Sequence, residues 1–297
     1  MSNYLGEITA LGTAFCWSFG SIFFTISSRR IGYSVVNRLR LVVGLLLLII
    51  THYFVFGHFF PTNIAHTHWF WFGLSGIIGF AIGDTLLFKS FVLVGPRLSM
   101  LMMSLVPVFS TIIAWLFLHE ILNYTDIIAI IVTLIGISWV VLSKKNDGQK
   151  TTDYINGLLC GIGGALGQAI GLILSKKGLS YDFTALSGNI IRVLVAVVFL
   201  WVVTSLQGGI SVTIKSLKDR KATTTMCGGA FLGPFLGVWL SLVAVKYAYV
   251  GIASTLMALP PIILLPLSHW VFKEKITVGA ILGTIVAIIG VALIFFM

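Results

Sequence analysis

The sequence predicts an all-α membrane protein: ten transmembrane helices, built as two inverted five-helix repeats around a central cavity. Three observations carry this. Of 297 residues, 58% are hydrophobic and only 9% charged, where soluble domains carry about 25% charged residues. The apolar residues gather into segments of about 20, the length that crosses a hydrocarbon core. Within those segments they do not alternate as barrel strands would.

The expected helices span 5–26, 35–57, 69–93, 98–119, 124–143, 155–175, 184–206, 226–248, 252–272 and 277–297. The first begins with Glu7 in its opening turn, where a carboxylate suits a helix N-terminus. The preceding MSNYLGE has no basic region and no small-residue cleavage site follows, so this segment is expected to remain in the membrane. The second carries Asn37 and Arg40. His52, His58, His66 and His68 crowd the stretch after it and read as interfacial residues; a metal site needs a defined convergence of ligands, and none is expected. The third carries Asp84, Lys89 and the glycine row Gly76, Gly79 and Gly83, which permits close backbone approach. The fourth contains Pro107 and ends at Glu120; the fifth has few polar groups.

SKKNDGQKTTD (143–153) then separates two halves, 1–143 and 154–297, with 144–153 as linker. The sixth helix carries Gln168, and the seventh Asn189 and Arg192. The eighth repeats the glycine row as Gly229, Gly233 and Gly237, followed by Trp239, Lys246 and Tyr247. The ninth has Pro260, Pro261 and Pro266 and ends at Glu274; the tenth has Gly279 and Gly283 and, like the fifth, reads as a support away from any ligand. Cys16, Cys160 and Cys227 all lie in apolar segments with no metal spacing and read as ordinary buried thiols.

The halves resemble each other. Gly79, Gly83, Pro107, Glu120 and Gly136 recur 154 residues later as Gly233, Gly237, Pro261, Glu274 and Gly290, and NRLR (37–40) matches NIIR (189–192). LVGPRLSML (93–101) resembles YVGIASTLM (249–257) after a two-residue gap. Such repeats are a transporter signature, and an odd number of helices per repeat turns one half over relative to the other. Charge agrees. Arg29, Arg30, Arg97, Lys144, Lys145, Lys150, Lys215, Lys218, Arg220, Lys221, Lys273 and Lys275 fall on one side of a ten-helix alternation, against Lys176, Lys177 and Lys246 on the other. The positive-inside rule makes the linker cytoplasmic and both termini external. The net charge of +10 is therefore a topology signal, and no nucleic-acid partner is expected.

GEITALGTAFCWSFGSIFF, NRLRLVVGLLLL, SLVPVFSTIIAWLFLHEIL and TLIGISWVVL, with GALGQAIGLILSKKGL, ALPPIILLPLSHWVFKEKI and ILGTIVAIIGVALIF in the second half, resemble the EamA branch of the drug/metabolite transporter superfamily. The resemblance covers nearly the whole chain. It implies a ten-helix carrier in the cell membrane that alternates access to a central cavity for a small metabolite or drug, as an exporter, without cofactor and without enzymatic activity. No Walker motif is present, so ATP-driven transport by this chain is not expected. The competing class is a membrane-embedded enzyme or lipid-handling protein. That would place acidic or histidine clusters at the membrane surface, and the short loops lack them.

The candidate site residues are those too costly to bury without a role. Asp84 sits at mid-helix, too short to snorkel, and its repeat counterpart is Val238, so it breaks the symmetry. It is a candidate for substrate binding or proton coupling, with Arg192 or a cationic substrate group as partner. Arg192 lies deep in its helix, whereas Arg40, near a helix start, is able to snorkel. Asn37 and Asn189 precede the two arginines by three positions and share their faces. Trp17, Ser18, Gln168, Trp239 and Tyr247 suit a mostly apolar pocket with a few orienting groups. Pro107, Pro260 and Pro261 are expected to bend their helices as hinges.

Overall fold

The computed structural model describes residues 4–62, 64–118, 124–142, 151–178, 183–247 and 256–296. Among them every regular element is helical. Helix α1 (Leu5–Ile31) leads through Gly32 into α2 (Tyr33–Phe56). Next come α3 (His66–Ser75), a π-helical segment π1 (Gly76–Gly83) and α4 (Asp84–Met103), then α5 (Leu105–Leu118) and α6 (Tyr124–Leu142). The second half has α7 (Thr151–Gly178), α8 (Ala185–Leu206), the short α9 (Ile210–Ser216) and α10 (Arg220–Ala230). It continues through a second π segment, π2 (Phe231–Gly237), into α11 (Val238–Tyr247), and closes with α12 (Pro260–Phe272) and α13 (Val278–Phe296). Among the described residues five helical stretches are long and apolar enough to cross a bilayer: Leu5–Ile31, Tyr33–Phe56, His66–Met103, Thr151–Ser175 and Ala185–Leu206. Their outer faces expose large apolar side chains, including Phe54 and Val202, as do Ile131 of α6 and Ile289 of α13, which suits a surface facing lipid.

The structure corrects the expected elements in three places. The loop expected after residue 93 is a kink inside α4. Gly95 adopts φ 84°, ψ 166° ahead of Pro96, and Ser99 bonds the Gly95 carbonyl at 2.8 Å. Only glycine holds that φ without strain. Second, the eighth apolar helix is preceded by α9 and starts at Arg220, with Asp219 accepting from the Ala222 amide as N-cap. Third, Pro107, Pro260 and Pro261 do not interrupt helices. Pro107 lies in the first turn of α5, and Pro260 and Pro261 open α12, where the missing N–H has no intrahelical partner to lose. The breaks themselves fall at Ser104 and at Ala258–Leu259, equivalent places in the two halves. The prolines inside helices are Pro96, Pro234 and Pro266.

Helices α2 and α8 run antiparallel. His52, late in α2, bonds Ser187, early in α8, at 3.1 Å, while Arg38 at the start of α2 donates to Thr204 near the end of α8 at 2.6 Å. Arg30–Asp219 (2.8 Å) and Arg97–Glu274 (3.3 Å) join the halves at the Arg38 end of the bundle. Lys177 lies over Trp71 at the opposite end. Helices α6 and α13 pack backbone to backbone, as a Cβ on Gly136 would collide with Ala287 and Gly283 and one on Gly290 with Thr133. Glu120, the linker and the side chain of Lys246 lie outside the described residues.

A buried charge cluster where the two halves meet

The site begins with glycine. A Cβ on Gly167 would strike Gly83, one on Gly171 would strike Gly79, and one on Gly76 would collide with the Arg192 carbonyl. Helices α7 and α8 therefore lie against π1 at backbone distance. A π turn shifts the hydrogen-bond pattern by one residue, so the Asp84 amide bonds the Gly79 carbonyl. The surrounding carbonyls point toward neighbouring helices, and amides answer them. Gln168 Nε2 donates to Gly79 O at 3.2 Å; Asn37 Nδ2 donates to Phe80 O at 3.0 Å and to Thr85 Oγ1 at 2.8 Å.

Asp84 is the first residue after π1, at 5% exposure. Arg40 Nη2 donates to its Oδ2, and Gln168 Nε2 donates to Oδ1. Arg40 is equally buried, its Nε donating to Asn37 Oδ1 at 3.0 Å and its guanidinium lying over Phe88 (4.7 Å) and Phe24 (5.4 Å). Each charge in this pair is thus hydrogen-bonded as well as paired, the condition for tolerating burial.

Arg192 differs. Its guanidinium lies 4.4 Å from the Phe80 ring centroid and interacts electrostatically with Asp84. Its buried Nε has no partner, and none of its N–H groups donates to a described residue. Asn189 Oδ1, one turn earlier and in a residue at 5% exposure, is also unpartnered. The first-half equivalents, Asn37 and Arg40, bond each other; these two do not. A desolvated cation–π contact contributes about 2 kcal/mol, less than the several kcal/mol that burying an ion costs. Arg192 is only partly buried, and what the ring leaves unsatisfied is its buried Nε.

The sequence matches the EamA-like transporter family over residues 4–142 and again over 155–296. The chain belongs to the EamA-like transporter family. A solved structure, described as "Crystal structure of protein", has the same fold at TM-score 0.64 and 12% identity, covering 99% of this chain and 96% of that one. No curated protein matches the sequence. The EamA-like chain is a multi-pass integral membrane protein of a transporter family, and the family model matches it in two repeats.

In this EamA-like protein the cluster unites six of the expected residues: Asp84, Arg40, Asn37, Gln168, Arg192 and Asn189. The direct partner of Asp84 is Arg40, not Arg192, and Arg40 does not snorkel; α2 packs against α1, α4 and α8, which keeps it inside. Trp17 stands apart. It packs on Gly237 at the end of π2, the place Gln168 takes beside π1, and there Val238 replaces Asp84. Ser18 is fully buried and bonds the Ala14 carbonyl of its own helix at 2.7 Å. Trp239 and Tyr247 are exposed at 42% and 56% and take no part in the cluster. His52 bonds the His58 carbonyl and Ser187, and the described His, Cys, Asp and Glu residues form no group of three suited to a metal. Sequence reading missed Thr85 and the ring platforms Phe24, Phe80 and Phe88. It also missed the Arg97–Glu274 link, for which the lone Glu274 at a helix end was the available signal.

Proposed function

We propose that this EamA-like protein is a secondary carrier that exports a small organic solute across the cell membrane. Ten passes form two inverted repeats, 1–143 and 154–297 with the 144–153 linker cytoplasmic, and the solute binds at the Asp84–Arg40–Arg192 cluster between them. The observation that carries the reading is this cluster: the buried Arg40–Asp84 pair and the partly buried Arg192, held among α2, π1, α4, α7 and α8, hence from both halves. Ionisable groups inside a membrane protein are expensive and mark substrate or proton pathways. The antiparallel α2 and α8 support the inversion. The equivalent helix breaks at Ser104 and Ala258–Leu259 support hinges at which α5 and α12 rock between outward- and inward-open forms. Asp84 is also the candidate proton-coupling group.

The test is a ligand screen by thermal shift on purified protein, then counterflow of each stabilising compound in proteoliposomes. Expected is counterflow in the wild type and its loss in Asp84→Asn, with protein abundance matched. Normal counterflow in Asp84→Asn, with unchanged pH dependence, would refute the role of the cluster.

A further inference from the structure

We infer that the solute is a small organic monoanion, and that its carboxylate binds the guanidinium of Arg192. The inference rests on the carrier reading above and deepens it.

Arg40 spends its guanidinium on Asp84 and on Asn37, between two aromatic rings. Asp84 in turn accepts from Arg40 and Gln168. That pair is electrically closed. Arg192 is left over, so the cluster carries one excess positive charge. Among the described residues Asp84 is ion-paired with Arg40, and Arg192 makes no salt bridge. No second acid among the described residues balances it.

The free donors have the right chemistry. A guanidinium offers parallel N–H groups in a fixed fork that matches a carboxylate two bonds at a time. Arg192 Nη2 lies beside Gly79, 3.7 Å from where a Cβ would stand, with Gln168 Oε1 and the Gly171 backbone as neighbours. The unpartnered Asn189 Oδ1 is an acceptor one turn away, able to take a hydroxyl or amine hydrogen from the same solute. The Phe80 ring under Arg192 supplies an apolar wall.

Charge also selects among anions. A monocarboxylate cancels one excess positive charge. A phosphate monoester brings about −1.5 to −2 at neutral pH and would leave uncancelled negative charge in a low-dielectric site. A cationic or neutral solute would leave the Arg192 fork without an anionic partner.

The experiment is a thermal-shift titration of the purified protein with a fixed probe set: butyrate, octanoate, benzoate and indole-3-acetate, each beside its neutral amide and its phosphate-bearing or amine counterpart. Expected is a raised midpoint with at least one carboxylate and none with its amide, amine or phosphate. Arg192→Gln is expected to weaken that carboxylate by about tenfold to a hundredfold, as for a hydrogen bond to a charged group. Arg192→Lys keeps the charge without the fork and is expected to keep the preference for carboxylate over amide at lower affinity, so the test stands if the Gln variant fails to fold. Arg220→Gln, on the exposed start of α10 outside the cluster, is the control and should bind as wild type. No shift with any carboxylate, an equal shift with amides or amines, or undiminished affinity in Arg192→Lys would overturn the inference. Counterflow separates it from the carrier reading. Exchange of an amine or neutral solute sinks the monoanion and spares the carrier. A carboxylate that binds through Arg192 but never exchanges spares the anion site and sinks the carrier.

Discussion

Removing single charges from the cluster should destabilise the protein in an order that the charge count dictates. The wild-type cluster holds two guanidinium groups and one carboxylate. Asp84→Asn leaves the buried Arg40 and the partly buried Arg192 with no anion, and breaking a buried pair from one side costs about 3–5 kcal/mol. Arg40→Gln leaves one cation and one anion, since Asp84 still interacts with Arg192. It forfeits the Asn37 bond and the contacts with Phe24 and Phe88 but creates no unpaired charge. Arg192→Gln removes the excess charge and leaves the Arg40–Asp84 pair whole. The expected order of loss is therefore Asp84→Asn largest, Arg40→Gln intermediate, and Arg192→Gln smallest or slightly stabilising. The assay is thermal unfolding in one detergent by intrinsic tryptophan fluorescence, with size-exclusion profiles to exclude aggregation. Adding Arg192→Gln to Asp84→Asn should recover part of the lost stability, because it lowers the residual charge. An Arg192→Gln variant less stable than Asp84→Asn, or no recovery in the double variant, would refute the charge argument.

Other expectations follow from particular contacts. Asn37→Leu should cost about 1–3 kcal/mol for groups left without partners, because Phe80 O, Thr85 and Arg40 all lose a bond, whereas Asn189→Leu should cost less since its Oδ1 has none to lose; thermal melts of the two compare them directly. Gly136→Leu should part α6 from α13 and lower stability by about 1–3 kcal/mol while leaving carboxylate affinity intact, read from the same titration. Impermeant thiol labelling in intact cells, on a background without Cys16, Cys160 and Cys227, should modify a cysteine at His66 and spare one at Lys218; the reverse pattern would invert the orientation but keep the fold. The Ala222 amide, and then Arg30, hold the Asp219 carboxyl below its ordinary value of 3.8. Its contribution is thus complete above that pH and is lost as pH falls through the lowered folded-state value, so melting curves of wild type and Asp219→Asn should converge only in strong acid.

The helical class and the doubled architecture were legible because both rest on composition and spacing. Hydrocarbon thickness sets segment length, and the offset joining Gly79 and Gly83 to Gly233 and Gly237 survives as two π segments that end at those glycines. Asp84 was legible for a different reason. A lone carboxylate in an apolar helix is costly wherever it points, so its burial needed no coordinates to argue. The kink at Gly95 was hidden because LVGPRLSML reads equally as a loop between helices and as a bend within one. The hinge prolines were misread because sequence gives a proline's position but not the first hydrogen bond of its helix, and Ser104 and Leu259 set that start.

The partner of Asp84 was the least legible feature, and the reason is geometric. Depth along a helix is read from residue count, and by count Arg192 was the deeper arginine. Hydrogen bonding depends instead on rotation about the helix axis and on which helices touch. The π turn in π1 alters both, advancing the register by one residue just before Asp84 and so turning the carboxylate toward Arg40 and Gln168. The same turn brings Phe80 under Arg192 and the Phe80 carbonyl to Asn37. One local departure from α-helical geometry thus decides which arginine is neutralised and which keeps its charge. In the second half π2 makes the same departure, but Val238 follows it and Trp17 replaces Gln168. The scaffold is repeated while the chemistry is not: the acid that follows π1 has no counterpart after π2, so the charge cluster belongs to one of the two similar places only.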